Sequence, residues 1–277
     1  MLGNLDNEVI FKKAFTDKTV LRAFVRDILG IEFEVGIIET EKKFTPKIDS
    51  IDFKLDIFAE SVDKRVVVEL QRIEYDNHFD RFLHYFLMSI AEQQRKSESY
   101  TIERTTYVIV ILTSPYTISE KNGRPIKDEV LLLKLNPKTI AGNERDLYGH
   151  QLTFLNPNYQ ADDTPQSIRD WLDLIYQSIH KNEKRSLNLQ NEGIKKATEL
   201  IDYDLLSPEE MYEAKEAEEL RMVKMKMEKA EIAEIVKNLI NLGVAVEVIS
   251  KATKLSIKEI EKIRNAPEED NSTLRKN

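Results

Sequence analysis

A layered α/β domain, with a central mixed β-sheet flanked by helices and an α-helical C-terminal region, is the fold the sequence predicts. Three observations lead there. Short runs rich in β-branched and aromatic residues, LDIFAE, RVVVELQ and TTYVIVILT, alternate with longer stretches of helical periodicity. The run Thr105 to Thr113 is almost continuously apolar, as a strand covered on both faces requires. From about Ser186 the chain turns to charge-rich helix with few aromatics and no strand pattern.

The elements follow in order. Asn7 to Phe15 reads as a short helix, and Val20, Leu21, Phe24, Val25, Ile28 and Leu29 mark a second that ends at Gly30. A strand is expected around Val35 to Glu39, then a polar bridge, EKKFTPK, in which Lys42, Lys43 and Lys47 are solvated or approach phosphate. After the hairpin of Lys54 to Gln71, a helix over 78–96 carries Phe79, Phe82, Leu83, Phe86, Leu87 and Ile90 toward the sheet. That helix is the crossover that brings Thr105–Thr113 parallel to its neighbour. Glu129–Leu135 and Gln151–Leu155 are further strands. Thr164 caps a helix with Pro165 at its first position and Ile168, Trp171, Leu172, Ile175 and Ile179 on its packed face.

The C-terminal part divides by composition. Residues 1–185 form the α/β domain, 186–243 a helical extension, 244–265 a small helix-turn-helix-like hairpin, and 266–277 a disordered tail. Ser207-Pro208-Glu209-Glu210 is a capping box before a long helix that Gly243 stops, and Ser256 with Glu259 is a second. Met222, Met225 and Met227 fill intramolecular packing or form a partner-binding stripe, and self-association through these helices is an expectation.

Composition limits the chemistry. The 277 residues contain no cysteine, which excludes disulfides, thiolate catalysis and zinc–thiolate sites. Of four histidines, His78 and His84 are six apart, off a common helical face, so a bi-histidine metal site is not expected. No apolar run is long enough to cross a bilayer, and MLGNLDNEVIFKKAF lacks a signal peptide's hydrophobic region, so a cytoplasmic protein without membrane partners is expected. The net charge of -8 confines any nucleic-acid contact to a local patch.

The chemistry-bearing stretch is KLDIFAESVDKRVVVELQ. A loop centred on Val62 and Asp63 makes partners' residue numbers sum to 125, which places Asp56 across from Glu69 and Lys54 across from Gln71. Glu69 and Gln71 then share one face, and Val66, Val68 and Leu70 the other. Two opposed carboxylates repel unless a cation lies between them, and a divalent metal with oxygen ligands supplies one. The alternative is a solvated ridge with Asp56 paired to Lys54 and Glu69 to Arg65 or Lys64.

An aspartate, a strand turn and Glu-x-Gln after hydrophobics resemble the PD-(D/E)XK nuclease core, in its recombination-promoting nuclease (Rpn) and transposase branch. Leu55 stands where the superfamily motif has proline, and Gln71 where it usually has lysine. The opening NEVIFKKAF is similar to that family's acidic residue before a V/I-F-K motif, with Glu8 at the acidic position. Arg81 and Tyr85, one turn apart, resemble its arginine–tyrosine helix. The resemblance spans roughly residues 5–265 and implies a restriction-endonuclease-like core acting as a metal-dependent DNA endonuclease in recombination or mobile-element biology. Asp56 and Glu69, with the main-chain carbonyl of Leu70, would hold Mg²⁺ or Mn²⁺. Gln71 and Glu8 would join them in catalysis, and Arg81 and Tyr85 would meet DNA phosphate. A catalytically weak DNA-binding or toxin-like regulatory module, and an interaction protein using the long helix, remain alternatives. A first-turn carboxylate favoured by the helix dipole is the plain reading of Glu8, and an ion pair with Glu74, Asp76 or Asp80 that of Arg81.

Overall fold

Helix α1 (Glu8–Phe15) and helix α2 (Lys18–Leu29) begin where Asn7 and Asp17 each accept two first-turn N–H groups on a side-chain oxygen. Gly30 closes α2 in the left-handed region, φ 68°. The computed structural model describes residues 1–44, 53–71, 78–94, 101–180, 183–253 and 255–265. The expectations placed on Lys47, Glu74, Asp76 and the 266–277 tail lie outside the described residues.

Six strands follow: β1 (Ile38–Phe44), β2 (Phe53–Glu60), β3 (Lys64–Gln71), β4 (Thr105–Leu112), β5 (Val130–Leu135) and β6 (His150–Leu155). They form one mixed sheet in the order β1-β2-β3-β4-β6-β5. β4 runs parallel to both β3 and β6, and the other neighbours are antiparallel. The parallel β3–β4 step is made through α3 (His78–Ala91), as the apolar run of β4 requires.

Alternate residues of β3 and β4 feed two cores on opposite faces. Val66, Val68, Ile109 and Ile111 pack with Phe11, Phe15, Phe24 and Trp171, on the side of α1, α2 and α4 (Gln166–Ile179). Val67, Val108 and Val110 pack with Phe82 and Phe86 of α3. Buried His150 accepts the Thr106 N–H on Nδ1 at 2.9 Å, which gives this histidine a packing role.

Four expectations are corrected. The first strand lies at 38–44 rather than 35–39, so Lys42 and Lys43 belong to β1 and not to a bridge. Its charges suit an edge strand, whose outer side faces water. Helix α3 ends at Ala91, and its packed stripe is rotated: Tyr85 is buried, whereas Leu83 and Leu87 are 40% and 47% exposed. Pro165, not Thr164, is the N-cap of α4, without a side-chain cap bond. The backbone pairing expected for Asp56 with Glu69 and for Lys54 with Gln71 is absent, for reasons given below.

By packing, the chain divides into two units, Met1–Lys215 and Glu216–Asn277. The composition change at Ser186 therefore lies within the first. There α5 (Glu192–Leu200) adds Ile194 and Ala197 to the same core as Trp171. Helix α6 (Pro208–Asn241) starts at the expected capping box, Ser207 N–H donating to Glu210 Oε2 at 2.8 Å and Glu210 N–H to Ser207 Oγ at 3.2 Å. In the second unit, Val236 of α6, Ile249 of α7 (Val246–Thr253) and Ile260 of α8 (Ile257–Arg264) share a small core, and Ser256 and Glu259 complete the second capping box. No helix among the described residues is long and apolar enough to cross a membrane.

Gly193 lets α5 lie close on α2. A Cβ there would stand 2.3 Å from Ala23 Cβ and 3.0 Å from Trp171 Cζ2, below contact distance in both cases. Gly193→Ala is therefore expected to cost about 1–3 kcal/mol through overpacking, seen as a drop of several degrees in thermal melting. Unchanged melting would show that the two helices separate freely.

Candidate active site at the fork between two strands

The hairpin has the expected register. Glu60↔Arg65, Ala59↔Val66, Phe58↔Val67 and Ile57↔Val68 all sum to 125. One residue further the strands part: β2 continues against β1, and β3 continues against β4 as far as Gln71↔Leu112. At this fork the carboxylates replace backbone partners. Asp56 N–H donates to Glu69 Oε1 at 2.9 Å, and Leu70 N–H donates to Asp56 Oδ2 at 2.9 Å.

The other side of Asp56 is interrupted as well. Pairing of β1 with β2 passes from Thr40↔Ile57 to Lys42↔Leu55, omitting Glu41 and Asp56. Glu41 sits at φ 58°, a left-handed conformation uncommon for a residue with a Cβ. Its Oε1 takes Lys12 Nζ and Lys54 Nζ, each at 2.8 Å. Held by two ammonium groups, Glu41 has its pKa pulled down to about 2.

Asp56 and Glu69 are shifted the opposite way. Glu69 is 2% exposed, and burial, followed by the charge of Asp56, pushes its pKa well up. Burial also raises Asp56, as does the charge of Glu8, against the Leu70 N–H and the charges of Lys12 and Arg81. Neither carboxylate forms an ion pair among the described residues: Lys54 goes to Glu41, Lys64 to Asp63, and Arg65 to Glu60 and Glu92. Asp56 Oδ1 and Glu69 Oε2 take no hydrogen bond there either. The ion-paired ridge is not what forms.

The remaining predicted residues surround this pair. Glu8 pairs with Lys12 one turn along α1, so it reaches the fork through its charge and a neighbouring lysine. Gln71 ends β3, where its carbonyl accepts Thr113 N–H at 3.0 Å. Arg81 is exposed, its Nε donating to the Tyr85 hydroxyl at 2.6 Å and its guanidinium lying over that ring at 5.0 Å. It makes no ion pair with Asp80 among the described residues.

Sequence reading missed Lys12, Glu41, and buried Asp6, which accepts the Thr113 hydroxyl at 2.7 Å. The i,i+4 spacing of Glu8 and Lys12 is a visible signal for the first. Nothing in a stretch that reads as a polar bridge points to Glu41.

Oxygen donors alone meet at the fork, which suits a hard divalent cation that takes one or two protein carboxylates. Among the described residues, no cluster of three or more His, Cys, Asp or Glu side chains is placed to hold a metal. Any cation here would rest on two carboxylates and main-chain or water oxygens.

Such a mixed sheet between helices, with paired acidic residues where two strands part, defines a nuclease-like α/β fold of the restriction-endonuclease type. The family model for PD-(D/E)XK nuclease family transposase matches residues 6–231, and the chain belongs to this family. The matched stretch includes Glu8, Asp56, Glu69, Gln71, Arg81 and Tyr85 and ends within α6, before α7 and α8. No curated protein and no solved structure matches the chain.

A carboxyl whose pKa is raised on folding favours the fold while protonated, below its unfolded pKa, and that contribution is lost as pH climbs through the folded value. Without a divalent cation, the ionised pair therefore weakens the fold at neutral and alkaline pH. Glu69→Gln keeps an oxygen for Asp56 N–H and removes the charge. In chelator at about pH 8 it is expected to melt above wild type, with the gap narrowing toward about pH 4, where Glu69 would be protonated even when unfolded. Equal melting at the higher pH would show that the buried charge carries no penalty.

Proposed function

We propose that the protein is a cytoplasmic, Mg²⁺- or Mn²⁺-dependent endodeoxyribonuclease of the Rpn type, acting in DNA recombination or mobile-element biology. The observation that carries this is the pair Asp56 and Glu69: Glu69 buried, Asp56 half-buried, neither ion-paired among the described residues, each with one oxygen committed to the fork and one left over. Asp56 and Glu69, with the Leu70 carbonyl, would hold the metal. The chemistry such a cation supplies is polarisation of a phosphoryl oxygen and acidification of a water.

The chain's own groups would position the substrate. The Gln71 amide can orient a water or a phosphate oxygen through hydrogen bonds, but it carries no charge. Arg81, braced on Tyr85, presents an exposed guanidinium suited to a DNA phosphate. With a net charge of -8, binding rests on such local contacts rather than on a basic coat. Glu8 would act by holding Lys12. Self-association through the C-terminal helices belongs to the same reading, supported by exposed Leu220, Met222, Val223 and Met227 on α6.

Supercoiled plasmid incubated with the full-length protein and Mg²⁺ or Mn²⁺ is expected to be nicked. Asp56→Asn and Glu69→Gln should each lower the rate by about 10²-fold or more, the size of effect seen when charge stabilisation is removed from a site. Equal nicking by wild type and both variants would sink the assignment. Salt-sensitive DNA binding without cleavage in any metal would identify a regulatory DNA-binding module instead.

A further inference from the structure

Transfer of a phosphoryl group builds negative charge on the equatorial oxygens, and a nearby fixed cation lowers that barrier. Gln71, at the position where the superfamily motif usually has a lysine and the resembled branch a glutamine, is neutral. We propose that Lys12 of α1 supplies this cation and touches the scissile phosphate, with Glu41 as the residue that positions it. This rests on the nuclease reading above.

The geometry singles out Lys12. Glu41 occupies the β1 position across from Asp56, where the β1–β2 ladder is skipped, and its left-handed backbone accompanies a carboxylate that receives both Lys12 and Lys54. Lys12 is thus bound to the residue facing the catalytic aspartate, and to Glu8 on its own helix. An ammonium group has three N–H donors, of which these contacts use two, so one remains for a phosphate oxygen. The Lys12 side chain is 18% exposed, against 44% for Lys54, which is fixed less firmly. Arg81, exposed and braced on Tyr85 through Nε alone, is the group for the DNA backbone rather than the cation tied to the strand across from Asp56. Lys12 and Lys54 offset Glu8 and Glu41, so the cluster is neutral before substrate arrives.

Two measurements on the full-length protein test this: single-turnover cleavage of a short duplex in Mg²⁺ or Mn²⁺, and the salt dependence of binding to that duplex in Ca²⁺. Lys12→Met should lower the cleavage rate about 10²-fold and reduce the slope of log affinity against log salt by about one. Lys12→Arg should restore the slope and much of the rate, and Glu41→Gln should lower the rate by a smaller factor, about tenfold. Wild-type rate and slope in Lys12→Met, with Asp56→Asn inactive, would overturn the role of Lys12 and leave the nuclease assignment standing. So would a slower Lys12→Met with an unchanged slope and a lowered melting temperature, since that assigns the lysine to structure. A wild-type protein that binds DNA without cutting it in any metal, or that neither binds nor cuts, overturns both the assignment and this inference.

Discussion

Hydrogen bonding at Asp56 is the constraint on which the structure turns. β2 has a neighbour on each side, yet at this one residue neither neighbour supplies the regular ladder. Buried backbone donors left unpaired are costly, about 1–3 kcal/mol each. Asp56 N–H and Leu70 N–H escape that cost only because the two carboxylates reach across and accept them. The acids are therefore structural parts of the fork, and their burial follows from that service. Burial in turn raises both pKa values, against the weaker pull of the Lys12 and Arg81 charges, and neither acid forms an ion pair among the described residues.

Holding such a fork open demands a rigid frame. At the closed end of the hairpin, buried Arg65 bonds Glu60, Glu92 and the Ser89 carbonyl and lies over the Phe58 ring, which fixes α3 against β2 and β3. That pin sets where Tyr85 and Arg81 arrive, about one and two turns nearer the start of α3 than Ser89. On the opposite face, Trp171 packs edge-on to Phe24, and its indole N–H donates to Asp27 at 2.9 Å, an acceptor that also takes Asn191 at 2.6 Å. α2, α4 and the start of α5 are thereby tied together behind α1, the helix that carries Glu8 and Lys12. Each arm of the site is thus anchored to a separate core.

Much of this was legible from residue patterns, and the failures have physical causes. The hairpin register could be read because a short polar loop between two apolar runs leaves few symmetric solutions. It could not show where pairing would stop, since that depends on β1 and β4 drawing the two strands apart. β1 lies later than the pattern predicts, because an edge strand that buries little is written in charged residues, IETEKKF, as a loop would be. The packed stripe of α3 turns away from Leu83 and Leu87, because Tyr85 and Ser89 occupy a packed face as leucine does. Glu41 had no signature at all: its role comes from a backbone conformation and from two lysines far from it in sequence.

The same two acids can serve both fold and chemistry because a carboxylate has two oxygens. Asp56 Oδ2 and Glu69 Oε1 stay with the backbone, and Asp56 Oδ1 and Glu69 Oε2 are left over. A cation drawn to the second pair would not have to break the bonds made by the first, so its binding energy would add to the fold rather than compete with it. It would also relieve the repulsion that burial imposes. Replacing either acid by its amide, which keeps an oxygen for the backbone N–H, would then have two separable consequences. The repulsion would disappear, which favours the metal-free fold, and the proposed seat for a cation would be lost, with any chemistry that depends on it. A site built this way is least stable in the state that is ready to bind, as expected where local strain is retained for function.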